Sequence, residues 1–316
     1  MTARRKTAVL LACAAGLVGG CAGNYRLDDS RAEALASPIR VLSLRWQRAM
    51  TRHGFLEYRP QEWATPVIDD RGVIYAGSSG KRFVAASAED GRVLWSHRTQ
   101  GAVSSRPLLR AGTDSIYFGA DDGTMYALDR RTGEVRWTYA TQGTIDRAPA
   151  YSEGFLLFTT SEGRIYGLDA DSGKWRWQYD REVPEGFTIR GYAGVTVDGS
   201  TAFTGFPDGT LVALKVYSGD VVWTRRLGAS TQSPFKDLDS TPVLAGDDLL
   251  LSSSYGGGLY ALSRASGSIR WQHPTEAVTG VEVHDGTIYI TAPRTGIQAL
   301  DMSGRLLWRQ AIARGV

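Results

Sequence analysis

One eleven-residue phrase limits what this chain can fold into more than any other feature of its 316 residues. It stands at Ala85–Trp95 (AASAEDGRVLW), Ala127–Trp137 (ALDRRTGEVRW), Gly167–Trp177 (GLDADSGKWRW), Ala213–Trp223 (ALKVYSGDVVW) and Ala261–Trp271 (ALSRASGSIRW), and one residue shorter at Ala299–Trp308 (ALDMSGRLLW). Each copy reads as a strand, a tight turn and a second strand. An Asp or Ser can bond the turn backbone, and Gly91, Gly133, Gly173, Gly219, Gly267 and Gly304 can take the positive φ that such turns need. The Trp comes four residues after the Gly, so strand alternation should fix the face it leaves from. A large flat ring at a fixed place in every unit is suited to wedging against the next unit, with the opening Ala or Gly leaving room for it.

Around each phrase the spacing predicts four short strands. The first unit gives Ala64–Asp69, Val73–Gly77, Arg82–Ala86 and Arg92–Ser96; the second gives Arg106–Arg110, Ser115–Gly119, Thr124–Leu128 and Glu134–Tyr139. Four antiparallel strands recurring about every 40 to 45 residues, with no sustained helical period, are the signature of an all-β β-propeller. A solenoid is the competing architecture. Residues Val41–Met50 decide against it, because they resemble an isolated outer strand carrying Trp46, and propellers commonly complete one blade with a strand from the other end of the chain. The expected organisation is therefore a propeller over residues 41–316, with six full blades plus one closing strand. Trp308–Val316 aligns with Trp95–Val103, after which a further blade begins, so the sequence is expected to be truncated by at least three strands.

The first twenty residues have the build of a secretory signal: basic Arg4–Lys6, an apolar run Ala8–Val18, then Gly19-Gly20-Cys21. The run is too short to span a bilayer. Val18–Cys21 resembles the lipobox of bacterial lipoproteins, which implies acylation (palmitate) of Cys21, a tether over residues 21–40 and a periplasmic lipid-anchored protein. Ala22 lacks the Asp that implies inner-membrane retention, so the destination implied is the outer membrane. Without Arg4, Arg5 and Lys6 the 36 basic residues fall to 33 against 33 acidic, a neutral balance that gives nucleic-acid binding no support. The only cysteines are Cys13 and Cys21, so the exported part has none for a disulfide.

The phrase Ala-x-Asp-x-x-Thr/Ser-Gly-x-x-x-Trp resembles the tryptophan-docking motif of quinoprotein-type (PQQ-repeat) propellers, which are of eight-bladed type, and it covers residues 41–316. Two subfamilies share it: quinone-dependent dehydrogenases, and the BamB family of lipoproteins in the outer-membrane β-barrel assembly machine. The dehydrogenase resemblance implies a metal ion held by acidic and Asn side chains and often a Cys pair. Here Asn24 in the tether is the only Asn and no Cys pair exists. The BamB resemblance gains support from extra residues between blades three and four and between four and five, since unequal insertion on one rim marks a working face. The first insert carries Phe187-Thr188-Ile189-Arg190-Gly191, the second Asp237-Leu238-Asp239. These are similar to the segments by which BamB proteins contact the polypeptide-transport-associated (POTRA) domains of the central barrel protein, BamA. The resemblance implies apolar contacts from Phe187 and Ile189, a basic one from Arg190 and acidic ones from Asp237 and Asp239.

Other signals are weaker. Gly77-Ser-Ser-Gly-Lys81 reads as a turn and not as a phosphate loop. His53, His97, His273 and His284 share no ligand spacing. No Gly-x-Ser-x-Gly elbow is present. The expectation is a non-enzymatic scaffold with no cofactor and no metal. Its partners would be BamA-like POTRA domains, a membrane through the lipid anchor and, by strand addition at blade edges, unfolded outer-membrane clients. A quinone-dependent dehydrogenase and a periplasmic ligand-binding or sensory propeller are the alternatives.

Overall fold

The computed structural model describes residues 43–50, 62–181, 192–228 and 237–312. The unit Trp46–Val316 contains six four-stranded antiparallel sheets, the blades of a β-propeller, each ordered from inner to outer strand as the chain runs. Blade one is β1 (Val67–Ile68), β2 (Val73–Ser78), β3 (Arg82–Ser87) and β4 (Val93–Arg98); blade two is β5 (Leu108–Leu109), β6 (Ser115–Gly119), β7 (Thr124–Asp129) and β8 (Val135–Ala140). Blade three is β9 (Ala150–Ser152), β10 (Phe155–Thr160), β11 (Arg164–Asp169) and β12 (Trp175–Asp180); blade four is β13 (Thr196–Asp198), β14 (Thr201–Gly205), β15 (Thr210–Lys215) and β16 (Val221–Arg226). Blade five is β17 (Val243–Ala245), β18 (Leu249–Ser254), β19 (Gly258–Ser263) and β20 (Ile269–His273); blade six is β21 (Gly280–His284), β22 (Thr287–Ala292), β23 (Gly296–Asp301) and β24 (Leu306–Gln310). The predicted strands fall on these ranges, apart from innermost strands shorter than the alternation suggested.

The repeated phrase is the hairpin between the third and fourth strands, and it works as a socket for the preceding indole. Gly91, Gly133, Gly173, Gly219, Gly267 and Gly304 all have φ between 65° and 83°. A Cβ on Gly133 would stand 2.6 Å from Trp95 Cε3, and the same crowding recurs between Gly173 and Trp137, Gly219 and Trp177, Gly267 and Trp223, Gly304 and Trp271, and Gly91 and Trp46. Each indole N–H then donates to a carbonyl of that hairpin: Trp46 to Ala88 at 2.8 Å, Trp95 to Arg130 at 3.0 Å, Trp137 to Ala170 at 3.1 Å, Trp177 to Val216 at 2.8 Å, Trp223 to Arg264 at 2.8 Å and Trp271 to Met302 at 3.0 Å. Glycine is needed twice over here, for its backbone angle and for the face it bares.

The opening Ala or Gly of the phrase lies directly opposite its own Trp in the ladder, as in Ala85 with Trp95 and Gly167 with Trp177. Trp177, the one facing a glycine, is the most buried of the seven, at 6% exposed. One detail differs from simple alternation. A bulge precedes each Trp, so Leu94, Arg136, Arg176, Val222, Arg270 and Leu307 stand as extra residues opposite no partner. The extra residue blunts the outer strand as a pairing edge. At Arg136 and Arg176 it also lets the guanidinium reach back 2.7 Å to the turn carboxylates of Asp129 and Asp169.

Two tryptophans depart from the pattern. Trp46 docks as expected, yet residues 43–50 make no strand pairing, because an outer strand needs a third strand beside it and none of the described residues supplies one. Trp308 is 47% exposed and packs on Tyr289 of its own blade at 6.2 Å; among the described residues no glycine hairpin receives it.

Between blades the cores are continuous. Phe83 stacks on Phe118 at 3.9 Å across the first interface, and Phe118 stacks on Tyr126 at 5.1 Å within blade two. Full burial of such a ring contributes on the order of 2 kcal/mol. On the axial side a second device recurs. The amides of Val103, Ile145 and Leu238 donate to the carbonyls of Ser78, Ala120 and Phe206 in the blade behind, while the carbonyls just before them, on Ala102, Thr144 and Asp237, accept from Asp121, Ser161 and Tyr255 in the blade ahead. The three apolar side chains are buried against Gly77, Gly119 and Gly205, where an added Cβ would stand 2.4, 2.2 and 2.6 Å away. Each latches two blades together.

The socket can be separated from backbone strain by paired substitutions. Gly112 has φ 72° with nothing within 4 Å of an added Cβ, whereas Gly133 has φ 77° with Trp95 in the way. Gly112→Ala is expected to cost about 1 kcal/mol and Gly133→Ala roughly 1–3 kcal/mol more, read as the difference in denaturant midpoints. Equal losses would mean that the indole is not held by the socket.

Candidate partner-binding rim

The connections from an outer strand to the next blade all emerge on one rim, and the two longest flank blade four. Phe187, Ile189 and Arg190 lie outside the described residues, but the residues on either side of their segment are fixed. Arg181, directly after β12, places Nε 2.9 Å and one Nη 2.5 Å from Oδ2 of Asp208 and donates to the Thr210 hydroxyl at 2.8 Å, with its guanidinium 5.9 Å from the Phe206 ring centroid. Asp208 in turn accepts from the Thr210 amide at 3.0 Å. Burial pushes the Asp208 carboxyl up, and Arg181 with the hydroxyl and amide of Thr210 pull it below the ordinary carboxylate range. At the far end Tyr192 is buried, its hydroxyl donating to Asp146. Burial and the Asp146 carboxylate both hold that phenol protonated.

The second connection is rooted on the same turn. The Leu227 amide donates to the Gly209 carbonyl at 2.8 Å, and the Leu238 amide donates to the Phe206 carbonyl at 3.3 Å. The turn Phe206–Thr210, between β14 and β15, therefore carries the roots of both enlarged connections. Chain spacing gave the lengths of the inserts; it did not show that one five-residue turn anchors the pair.

Of the two acidic positions, Asp239 is half-buried and Asp237 is buried, at 3% exposed. The reason is the latch: Leu238 must reach the axial side, so its neighbours are drawn inward with it. Asp239 lines a cavity of about 440 Å³ together with Arg147, Thr241, Tyr255, Ala277 and Thr279. Ala277 is held at φ 52°, a strained angle for a residue with a Cβ. A second cavity of about 430 Å³ is lined by Trp63, Ser104, Asp121, Thr144, Asp146 and Arg147. Arg147 borders both; its Nε donates to the Tyr192 carbonyl at 3.1 Å and lies 3.6 Å from Asp146. Asp121 accepts from Ser104 at 3.0 Å, and burial raises its pKa, with Asp146 and Asp122 adding to the effect.

These linings follow a common rule. Ser104, Asp146, Asp239 and Thr279 each follow a buried apolar residue, and three of the four stand in one pattern: Val103-Ser-Ser-Arg-Pro107, Ile145-Asp-Arg-Ala-Pro149 and Leu238-Asp-Ser-Thr-Pro242. An apolar residue four before a proline was the available signal. Asp239 thus occupies a position of the repeat and is not unique to the insert.

Among the described residues no three or more His, Cys, Asp and Glu side chains converge as metal ligands. His97 sits edge-on to Tyr126 at 5.7 Å, its pKa lowered by burial, and His273 faces Gln298 at 3.1 Å. With no Asn beyond Asn24, the donors present do not fit the acid-and-Asn metal site that quinone-dependent chemistry would need.

The profile of the family described as outer membrane protein assembly factor BamB matches residues 43–113 and 110–310. The chain belongs to the BamB family. Among its relatives, the BamB of Yersinia pestis is 26% identical over 243 residues, covering 75% of this chain and 51% of that protein. The BamB of Escherichia coli strain K12 is 28% identical over 259 residues, covering 78% and 65%. The chain spans about half to two thirds of the length of these curated relatives. The crystal structure of BamB from Moraxella catarrhalis has TM-score 0.60 at 22% identity, covering 78% of this chain and 87% of that one. A quinohemoprotein alcohol dehydrogenase from Pseudomonas putida HK5 has TM-score 0.58 at 15% identity, covering 77% and 52%, and shares the fold. The family's relatives are named as assembly factors, which places the chain's kin in outer-membrane assembly.

The root of the first connection should be sensitive to acid. A carboxyl with a depressed native pKa contributes stability fully above its unfolded value, near 4, and loses it as pH falls through and below that value. Asp208→Asn is therefore expected to lower stability by about 1–3 kcal/mol at pH 7. The gap to the parent in thermal melts should close below about pH 4. A gap constant from pH 7 to pH 3 would remove the ion pair as its source.

Proposed function

We propose that this protein is a non-catalytic scaffold lipoprotein of the outer-membrane β-barrel assembly machine, which presents the rim of blade four to the POTRA domains of the central barrel protein. The observation that carries this reading is the common root of the two enlarged connections on the turn Phe206–Thr210, in a chain of the BamB family. Phe187 and Ile189 would supply an apolar anchor, Arg190 a bidentate donor at its edge and Asp239 a carboxylate. Asp237, buried, would serve by holding the second connection in place. Cys21 would be acylated and hold the protein on the periplasmic face of the outer membrane. A small polar ligand between the blades is the second reading, favoured by the two cavities that meet at Arg147.

In a pull-down with the barrel protein, Arg190→Glu is expected to reduce recovery by on the order of tenfold or more, and Asp239→Lys to reduce it less. Unchanged recovery with Arg190→Glu would remove the assignment. Labelled palmitate should appear on the parent chain and be absent from Cys21→Ser; label on both would place the anchor elsewhere.

A further inference from the structure

The same ladder position is filled in opposite ways in two blades. In blade three the ladder of β11 and β12 opens with Arg164 opposite Asp180, an ion pair at 2.9 Å. In blade one the corresponding ladder of β3 and β4 opens with Arg82 opposite Arg98. Residues paired in this way stand with their Cβ atoms roughly 5 Å apart, and like charges so placed oppose folding. Lys81 adds a third cation beside them, held at φ 57° with its carbonyl accepting from Thr99 at 3.1 Å. All three residues are exposed, and among the described residues none of their side chains has an ion-pair or hydrogen-bond partner. The nearby acid Glu62 is engaged by the amide and hydroxyl of Ser79, at 2.8 and 2.7 Å. An arrangement that weakens the ladder and leaves three cations facing solvent calls for an anionic partner.

We propose that Lys81, Arg82 and Arg98 form a contact for the anionic headgroups of a bilayer, which turns blade one toward the membrane. The choice of a bilayer over an acidic protein rests on the proposed acylation of Cys21. Trp46 is docked on Gly91 of blade one, and 24 residues lie between it and Cys21. That length can span no more than about 90 Å, so the anchor keeps a bilayer within reach of this blade before any other partner arrives. The acyl chains would supply attachment and the cations the orientation, since each basic residue at an anionic surface adds attraction that fades within a Debye length.

The test uses the full chain as Cys21→Ser, so that no acyl group contributes, co-sedimented with vesicles of phosphatidylcholine and of an equimolar phosphatidylcholine–phosphatidylglycerol mixture. Binding to the anionic vesicles should exceed binding to the neutral ones by about tenfold or more at low ionic strength and fall toward equality near 1 M salt. The Lys81→Glu, Arg82→Glu, Arg98→Glu triple variant should bind both alike with its melting temperature no lower than the parent's, and Arg82→Lys with Arg98→Lys should keep the preference. Equal binding of the parent to both vesicles, or an undiminished preference in the triple variant, would overturn the proposal. Palmitate labelling and barrel-protein recovery report on the underlying reading separately, so the two can fail independently.

Discussion

A tryptophan from one blade lying flat on the glycine of the next blade's hairpin is the contact on which this structure depends. It joins three demands at one residue. The backbone must take a positive φ, the face must lack a Cβ, and a carbonyl must stand where the indole N–H can reach it. At Arg130 and Ala170 that carbonyl also accepts from a tyrosine hydroxyl, Tyr75 and Tyr117, so neighbouring blades share a polar node inside an apolar interface. Because the socket is built from the turn and the wedge from the strand after it, each phrase both receives and delivers a contact.

The latch residues complete the arrangement from the axial side. Val103, Ile145 and Leu238 are held by amides and carbonyls in two blades at once, and each fits where a glycine leaves space. Outer wedge and inner latch together fix the spacing of the blades, and with it the rim where the connections emerge. The turn Phe206–Thr210 inherits that fixity, which is why Arg181, Leu227 and Leu238 can all be anchored there. A loop meant to present an apolar anchor and a charge needs such a root, because any freedom left at its base is lost on binding.

Charge plays a different part in different places. Arg136 and Arg176 at the bulges tie outer strands to their own turns, and such exposed pairs contribute little each. Arg181 with Asp208 is partly buried and shapes a connection. Arg82 opposite Arg98 does neither: the two exposed cations face solvent at the end of their ladder.

Period, turn chemistry and residue size along the chain were enough to read the fold class, the second and third strands of blades one and two, the socket glycines and the role of Trp95, Trp137, Trp177, Trp223 and Trp271. Tertiary structure alone decided the bulge before each Trp, the burial of Asp237 and the shared root of the two inserts. A bulge depends on the register of two strands, which alternation along one strand does not encode. Asp237 is buried because Leu238 answers to glycines and carbonyls in other blades, and Asp239 lines a cavity whose walls come from blades five and six and from the connections that lead into blades three, five and six. Those distances along the chain exceed any local pattern, so only the closed set of packing contacts could settle them.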